Sequence, residues 1–247
     1  MTNRKDEILS IIYTEKRAYV ADLAKRLYCS EPSIRRDLNA LANEKRIRRI
    51  HGGAIPYFEN AEADNMPFSV RFAIQSNAKD IIAKKAAALI TNGNTVMIDA
   101  SSSSFALSKY ITQKDGLTII SYGIKLLTEL CDSKLTIYGT GGKLIPSECA
   151  FLGSEAACAL DKFNADIAFF SCRGLSFDGI ISDPSAEQAE MRRHMFARAK
   201  KRILLCTSER LGTKYAHNIC SLNNVDYVVC DKKPPDGFDV EQIDKFI

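Results

Sequence analysis

No apolar run in the 247-residue chain approaches the roughly 18 residues that a membrane-spanning helix needs; the longest candidate, residues 81–90, is broken by Lys84 and Lys85. The opening stretch, Met1 to Glu7, lacks the apolar segment of a secretory leader, so a cytoplasmic location is expected. Cysteine is plentiful at eight residues, but no two stand in a C-x-x-C pair. That excludes the usual spacing of a structural zinc site. Reduced cysteines acting as small buried apolar residues are expected, with no metal and no cofactor. No internal repeat is evident. The 46% hydrophobic content is ample for a buried core, and 26% charged residues is ordinary for a soluble protein.

The net charge of +4 hides an uneven distribution. Residues 1–57 hold 12 Lys/Arg against 7 Asp/Glu, whereas the rest holds 22 against 23. A basic head on a neutral body points to a polyanion that meets only the head.

Three helical patterns follow each other in that head. Residues 3–13 carry Ile8, Ile11 and Ile12 on one side. Residues 20–28 place Val20, Leu23, Ala24 and Leu27 at i, i+3, i+4 and i+7, the spacing of a half-buried helix. The third begins at the N-cap candidate Ser30, has Pro32 in its first turn, and has Ile34, Leu38 and Leu41 as its stripe. The short step between the second and third patterns predicts a helix-turn-helix, with the later helix in the major groove. Ser30, Ser33, Arg35, Arg36 and Asn39 then face outward as candidate DNA contacts. Arginine suits phosphate or the guanine edge because its guanidinium is a planar fork. Interleaved cations and apolar residues from Lys45 to Ile50, followed by His51-Gly52-Gly53, predict a hairpin wing carrying Arg48, Arg49 and His51 toward the backbone. Asp37 is expected to orient a neighbouring cation, Arg36 or Arg4, rather than to read cytosine.

These residues carry a resemblance. Arg4, Ile8 and Ile12, then Ser30, Ser33, Ile34, Arg35, Arg36, Asp37 and Leu38, then Arg48 to Ala54, together look like the helix-turn-helix and wing of the DeoR family of transcriptional regulators. Ser33 departs from the family's usual Thr, keeping a hydroxyl and losing a methyl.

Residues 58–70 have no period and read as a linker, which divides the chain into a winged helix-turn-helix over 1–57 and an α/β domain over 71–247. Expected strands are 95–99, 117–121, 135–138, 167–171, 203–206 and 227–230. Expected helices are 77–91, 103–111, 123–131, 155–160 and 185–199. Such alternation predicts a mainly parallel sheet, whose ligands bind beyond the carboxyl ends of the strands. Three segments fall there: Asp99 with Ser101, Ser102, Ser103 and Ser104; Ser121-Tyr122-Gly123; and Tyr138 to Lys143, with Gly141 and Gly142. Hydroxyls, mobile glycine backbone and the Lys143 charge suit a phosphate.

The second region is similar to the DeoR sensor domain at Arg71, Asn77, Lys79, Gly93, Asp99, Gly141-Gly142, Gly153, Asp166, Phe169, Gly174, Gly179, Glu187, Glu190, Arg192, Met195 and Gly212. That resemblance implies a fold like ribose-5-phosphate isomerase and glucosamine-6-phosphate deaminase, a sugar-phosphate effector, a repressor of carbohydrate genes and a homo-oligomer on a double-stranded DNA operator. The chain departs from the family at Ser101-Ser102-Ser103, at Ser121-Tyr122 and at Thr207 to Arg210, where Arg210 replaces a lysine and an acid is lost. Arg210 can still pair with phosphate, and Tyr122 would narrow the pocket or stack on a ring. The rival reading is a sugar-phosphate isomerase or deaminase fused to a DNA-binding head. It needs a general base, for which Asp99 and Glu187 are the available carboxylates, with His194 read as a solvated surface residue. A purely architectural DNA binder would leave the large second region without a role. The expectation is a regulator rather than an enzyme.

Overall fold

The computed structural model describes residues 4–57 and 68–247. Two compact units emerge, 1–76 and 77–247.

In the first unit, α1 (Arg4–Glu15), α2 (Val20–Arg26) and α3 (Glu31–Asn43) bury the expected stripes in one core of Ile8, Leu9, Ile12, Leu23, Ile34, Leu38 and Leu41. The two-residue strand β1 (Ala18–Tyr19), with β2 (Ile47–Ile50) and β3 (Gly53–Pro56), forms an antiparallel sheet in the order β1-β3-β2. Gly53 is required there, because an added Cβ would lie 2.3 Å from the Ala18 carbonyl oxygen. Of the expected linker 58–70, residues 58–67 lie outside the described residues. The remaining three open a helix, α4 (Phe68–Ala73), whose Val70 and Ala73 join the same core.

The second unit opens with α5 (Ser76–Ala87) and β4 (Thr95–Ile98), then α6 (Ser102–Phe105), α7 (Ser108–Ile111), β5 (Thr118–Ser121), α8 (Ile124–Leu130) and β6 (Thr136–Gly139). A hairpin of β7 (Lys143–Ile145) and β8 (Ala150–Leu152) leads to α9 (Ser154–Leu160), β9 (Ala165–Ser171), β10 (Gly174–Leu175), β11 (Ile180–Asp183) and α10 (Ala186–Ala197). β12 (Ala199–Cys206), β13 (His217–Ser221), β14 (Tyr227–Cys230) and α11 (Val240–Ile243) follow. Six strands make a parallel sheet in the order β14-β12-β9-β4-β5-β6, while β10-β11-β13 form a small antiparallel sheet.

Alternation along each strand feeds two faces, which is why these strands read as continuous apolar runs. Val96, Ile98, Ile119, Phe169, Ile203 and Leu205 pack on one side with Ile82 and Ala86 of α5 and Leu126 of α8. Met97, Ile120 and Ala168 pack on the other with Leu160 of α9 and Met191 and Met195 of α10. Phe170, Leu204 and Val228, beside them, are covered by Ile181 and Ile219 of the small sheet.

All six expected strands exist. The single helix expected over 103–111 is two short helices, and the last residue of the helix expected over 185–199 already belongs to β12. The cysteines also differ from expectation. Cys172, Cys206 and Cys230 are buried, but Cys131, just after α8, and Cys158, on α9, are exposed; all eight are free thiols, as expected.

Candidate functional site

The candidate DNA-facing surface is built on α3. Burying Ile34, Asp37, Leu38 and Leu41 turns Arg35, Arg36 and Asn39 to solvent. Ser30 occupies the N-cap, yet its hydroxyl does not cap; it lies 3.0 Å from the Ser33 hydroxyl. Arg35 is engaged by Glu31 at 3.1 Å, one helical turn back. Arg36 is exposed and makes no ion pair among the described residues. In the wing, Arg49 donates to the side-chain oxygen of Asn39 and, at 3.1 Å, to the Gly53 carbonyl, which fastens β2 to the open face of α3. Arg48 donates to the Pro56 carbonyl at 3.5 Å. His51 stands exposed at the hairpin turn beside Gly52, whose φ is 71°.

Asp37 is 8% exposed and accepts from Arg4 Nε at 2.6 Å, so of its two candidate partners it takes Arg4. The Arg4 pKa is raised first by that hydrogen bond and then by the Asp37 charge. This ion pair joins the start of α1 to the middle of α3.

The second cluster lies at the carboxyl ends of β4, β9 and β12. Asp99 is buried just after β4. One of its oxygens accepts from Ser101 N at 3.1 Å; the other accepts from Ser171 N and from Arg192 Nε, both at 3.0 Å. Arg192, from α10, also donates to Asp183 at 2.6 Å. Burial alone would lower the Arg192 pKa, but Asp183, Tyr122 and Asp99 outweigh it and hold the pKa well above the ordinary value. Ser101 caps α6, accepting from Ser104 N at 3.0 Å. Arg210 reaches across to the end of β9, donating to the Ser171 hydroxyl at 2.8 Å and to the Cys172 carbonyl. Ser171 thus joins Asp99 to Arg210. Two buried hydroxyls in this region, on Ser103 and Thr207, have no hydrogen-bond partner. Unpaired buried polar atoms are uncommon and point to something that satisfies them.

The other expected contacts are less tightly gathered. The Ser121 hydroxyl accepts from Gly123 N at 3.0 Å. Gly123 is pressed so close to the preceding loop that a Cβ would lie 2.8 Å from the Ala100 Cα. Gly141 and Gly142 have φ of 66° and 101°, and the loop is tied to β5 through Thr140 N and the Ser121 carbonyl at 3.2 Å. Lys143 is exposed on β7. Tyr122, expected to narrow the pocket or stack on a ring, is instead fully buried among Met97, Ile120 and Met191, where no ligand ring reaches it, and its hydroxyl donates to Gln188 at 3.3 Å. Burial pushes the Tyr122 pKa far up, with the Asp99 charge adding to it.

Sequence reasoning missed Ser171, Asp183 and Gln188 as parts of this region. A signal was present for α10: Gln188 and Arg192 are polar residues four apart, on the face that also carries the core residue Met195. His194 pairs with Asp161 at 3.1 Å on the half-exposed side of α10, and Glu187 is exposed.

Residues 4–57 match the family model of the DeoR-like helix-turn-helix domain, and residues 74–232 match that of the DeoR C-terminal sensor domain. The chain belongs to the DeoR family. Like its relatives, this DeoR-family protein is a DNA-binding transcriptional regulator. It is 28% identical to the HTH-type transcriptional regulator GolR of Listeria innocua, over 93% of this chain and 90% of that protein. It is 30% identical to the HTH-type transcriptional repressor GlcR of Bacillus subtilis, over 94% and 88%. It is 26% identical to the glycerol-3-phosphate regulon repressor of Escherichia coli, over 95% and 92%. Among solved structures, ribose 5-phosphate isomerase A of Methanocaldococcus jannaschii overlaps 55% of this chain and 54% of that enzyme, with TM-score 0.41 and 13% identity. Among the described residues, no helix is long and apolar enough to cross a membrane.

Proposed function

We propose that this DeoR-family regulator is a cytoplasmic repressor of carbohydrate genes, released from its operator by a phosphorylated sugar or polyol. The ligand binds at the carboxyl ends of β4, β9 and β12. The observation that carries this reading is the pair of unpartnered buried hydroxyls, Ser103 and Thr207, in the region where Arg210 brings a guanidinium. A phosphoryl group supplies the acceptors that such donors lack, and arginine binds it bidentately. Asp99, held by Ser101, Ser171 and Arg192, fixes the loop that carries the serines. Ser102, Ser121, Gly141, Gly142 and Lys143 complete the lining. Two of the named relatives are repressors, one of them of a glycerol-3-phosphate regulon, which supports both the sign and the ligand class.

On the DNA side, Ser30, Ser33, Arg35, Arg36, Asn39, Arg48, Arg49 and His51 form the contact surface. Arg36 and the wing cations hold phosphates, while Ser33 and Arg35 read base edges. The protein acts as a homo-oligomer presenting paired heads to repeated half-sites. The enzyme alternative is disfavoured by Asp99, whose carboxylate already accepts three hydrogen bonds, and by the exposed position of Glu187. Neither is poised to abstract a proton.

The test is a thermal-shift screen of sugar and polyol phosphates on the full chain, because a ligand of the folded state raises the melting temperature. A hit is then carried into a mobility-shift assay on DNA that the protein selects from a random pool. A ligand that stabilises the protein and releases DNA is expected. No stabilisation by any phosphorylated compound, or turnover of the compound that binds, would overturn the reading.

A further inference from the structure

Tyr28 stands in the turn between α2 and α3, and its side chain projects into solvent. α2 ends in a tight closure in which the backbone N–H of Cys29 bonds the Ala24 carbonyl at 3.0 Å, and this forces Tyr28 into the left-handed region at φ 51°. Glycine or asparagine suits that position, because a larger residue crowds its own carbonyl there. The first glycine of the chain is Gly52, so all three helices of the head close without one. Lys16 and Lys45 take the same backbone conformation after α1 and α3, with φ of 63° and 54°. Tyr28 differs from them in being aromatic and 97% exposed. A strained conformation combined with complete exposure of an aromatic side chain is poor design for stability, and such outliers cluster at functional sites.

The position supplies the function. Tyr28 lies two residues before Ser30, the N-cap of the helix that enters the groove, hence within about 7 Å of it along the chain. In a helix-turn-helix the start of the second helix enters the major groove past the sugar–phosphate backbone, and here the Ser30–Ser33 hydroxyl pair and the exposed cation Arg36 follow Tyr28 along that helix. We infer that Tyr28 is a DNA contact whose phenolic hydroxyl donates to a backbone phosphate beside the first turn of α3. The ring shields that bond from water and helps fix how far α3 enters the groove. This inference rests on the DNA-binding role of the head and adds to it a residue that neither charge nor the helical stripe reveals. A tyrosine at a phosphate contributes affinity without neutralising charge, so it releases no counterion.

The experiment measures fluorescence anisotropy of the full chain on a duplex that the wild type selects from a random pool, over a range of salt. Three proteins are compared: wild type, Tyr28→Phe and Tyr28→Asn. Tyr28→Phe is expected to bind about tenfold more weakly with the same salt slope, as loss of one hydrogen bond to a charged acceptor requires. Tyr28→Asn is expected to bind at least as weakly while its melting temperature rises by roughly 2–4 °C, because asparagine accepts the left-handed backbone. That rise rules out misfolding as the cause of weak binding. Wild-type affinity in Tyr28→Phe overturns the phosphate bond, and so does a fall in its salt slope. A wild type that selects no duplex sinks the DNA reading itself, whereas a wild type that binds alongside two unchanged variants sinks only the role of Tyr28.

Discussion

Replacing Arg192 with methionine tests whether the Asp99–Arg192–Asp183 cluster holds the sensor unit together. Both acids and the guanidinium are buried, with side-chain exposures of 0%, 4% and 6%. Methionine fills much of the arginine volume and is a good helix former, so α10 itself is not weakened. What remains is two buried carboxylates without their cation. Asp99 keeps the amides of Ser101 and Ser171, and Asp183 keeps the amide of Ser185 at 3.0 Å. Breaking a buried ion pair by removing one partner costs about 3–5 kcal/mol. Set against the roughly 5–15 kcal/mol of a typical domain, that is a large share. With a urea slope of about 2 kcal/mol/M, the midpoint falls by roughly 2 M. Urea unfolding followed by far-UV circular dichroism reads it; the chain has no tryptophan to serve as a probe. The control is Arg193→Met, the next residue, which is exposed and, among the described residues, donates only to the Asn218 carbonyl. Its loss should stay below about 1 kcal/mol. Adding Asp99→Asn and Asp183→Asn to Arg192→Met should recover part of the deficit, because the stranded charges are gone. Equal midpoints for the Arg192 and Arg193 variants would refute the reasoning. An unchanged deficit in the triple variant would assign the loss to packing instead of charge.

Arg36→Ala should weaken operator binding and lower the salt slope by about 1, whereas Arg35→Ala should lower it less, because Glu31 already partly neutralises Arg35; mobility shifts over a salt series check this. Asp37→Ala should lower the melting temperature of the head and leave its selected sequence unchanged, since Asp37 holds Arg4 and is turned inward; a binding-site selection showing a new preference would contradict it. Asp166 has its pKa lowered first by the Thr95 amide and then by Lys200. The stability it contributes is therefore present above its unfolded pKa near 4 and is lost as pH falls through the lower folded value. Asp166→Asn should remove that part of the acid sensitivity below pH about 4, as read by urea midpoints across pH. Tyr122→Phe should cost about 1 kcal/mol and leave any sugar-phosphate thermal shift intact, because the lost hydroxyl serves Gln188 inside the core.

The head was legible because its information is local. Helix stripes, the Pro32 start and the Gly-Gly turn each lie within one element, and the resulting core is the one the stripes predict. The six parallel strands were legible for a related reason: burial on both faces leaves apolar runs such as Ile203-Leu204-Leu205. The small antiparallel sheet was not legible. β13 reads His217-Asn218-Ile219-Cys220-Ser221 and has only one buried residue. The β7–β8 hairpin has strands of three residues, too short to show a period. Tyr122 was misread because it follows Ser121 in what reads as a loop, while the ring turns back under the sheet end. The Arg192 cluster was invisible for a different reason. Its partners are 93 and 9 residues away, and only the fold brings them together.

The three hydrogen bonds that Asp99 accepts also support the proposal that this crevice senses a ligand. An ionised carboxylate offers about four lone-pair sites, and three of them are taken by donors that do not leave. A general base needs a free oxygen aimed at the substrate and a pKa near the working pH. Here the carboxylate is instead locked as an anchor, stabilised by a guanidinium whose own charge is secured by Asp183 and Asp99. Ordering the Ser101–Ser104 loop through that anchor, and tying Arg210 to the same strand end through Ser171, spends the acid on position. A regulator requires this division, because an effector shifts a population only while it stays bound and intact, and by no more than its difference in affinity for the two states. A carboxylate free to take a proton from the ligand would consume the signal that the protein has to measure.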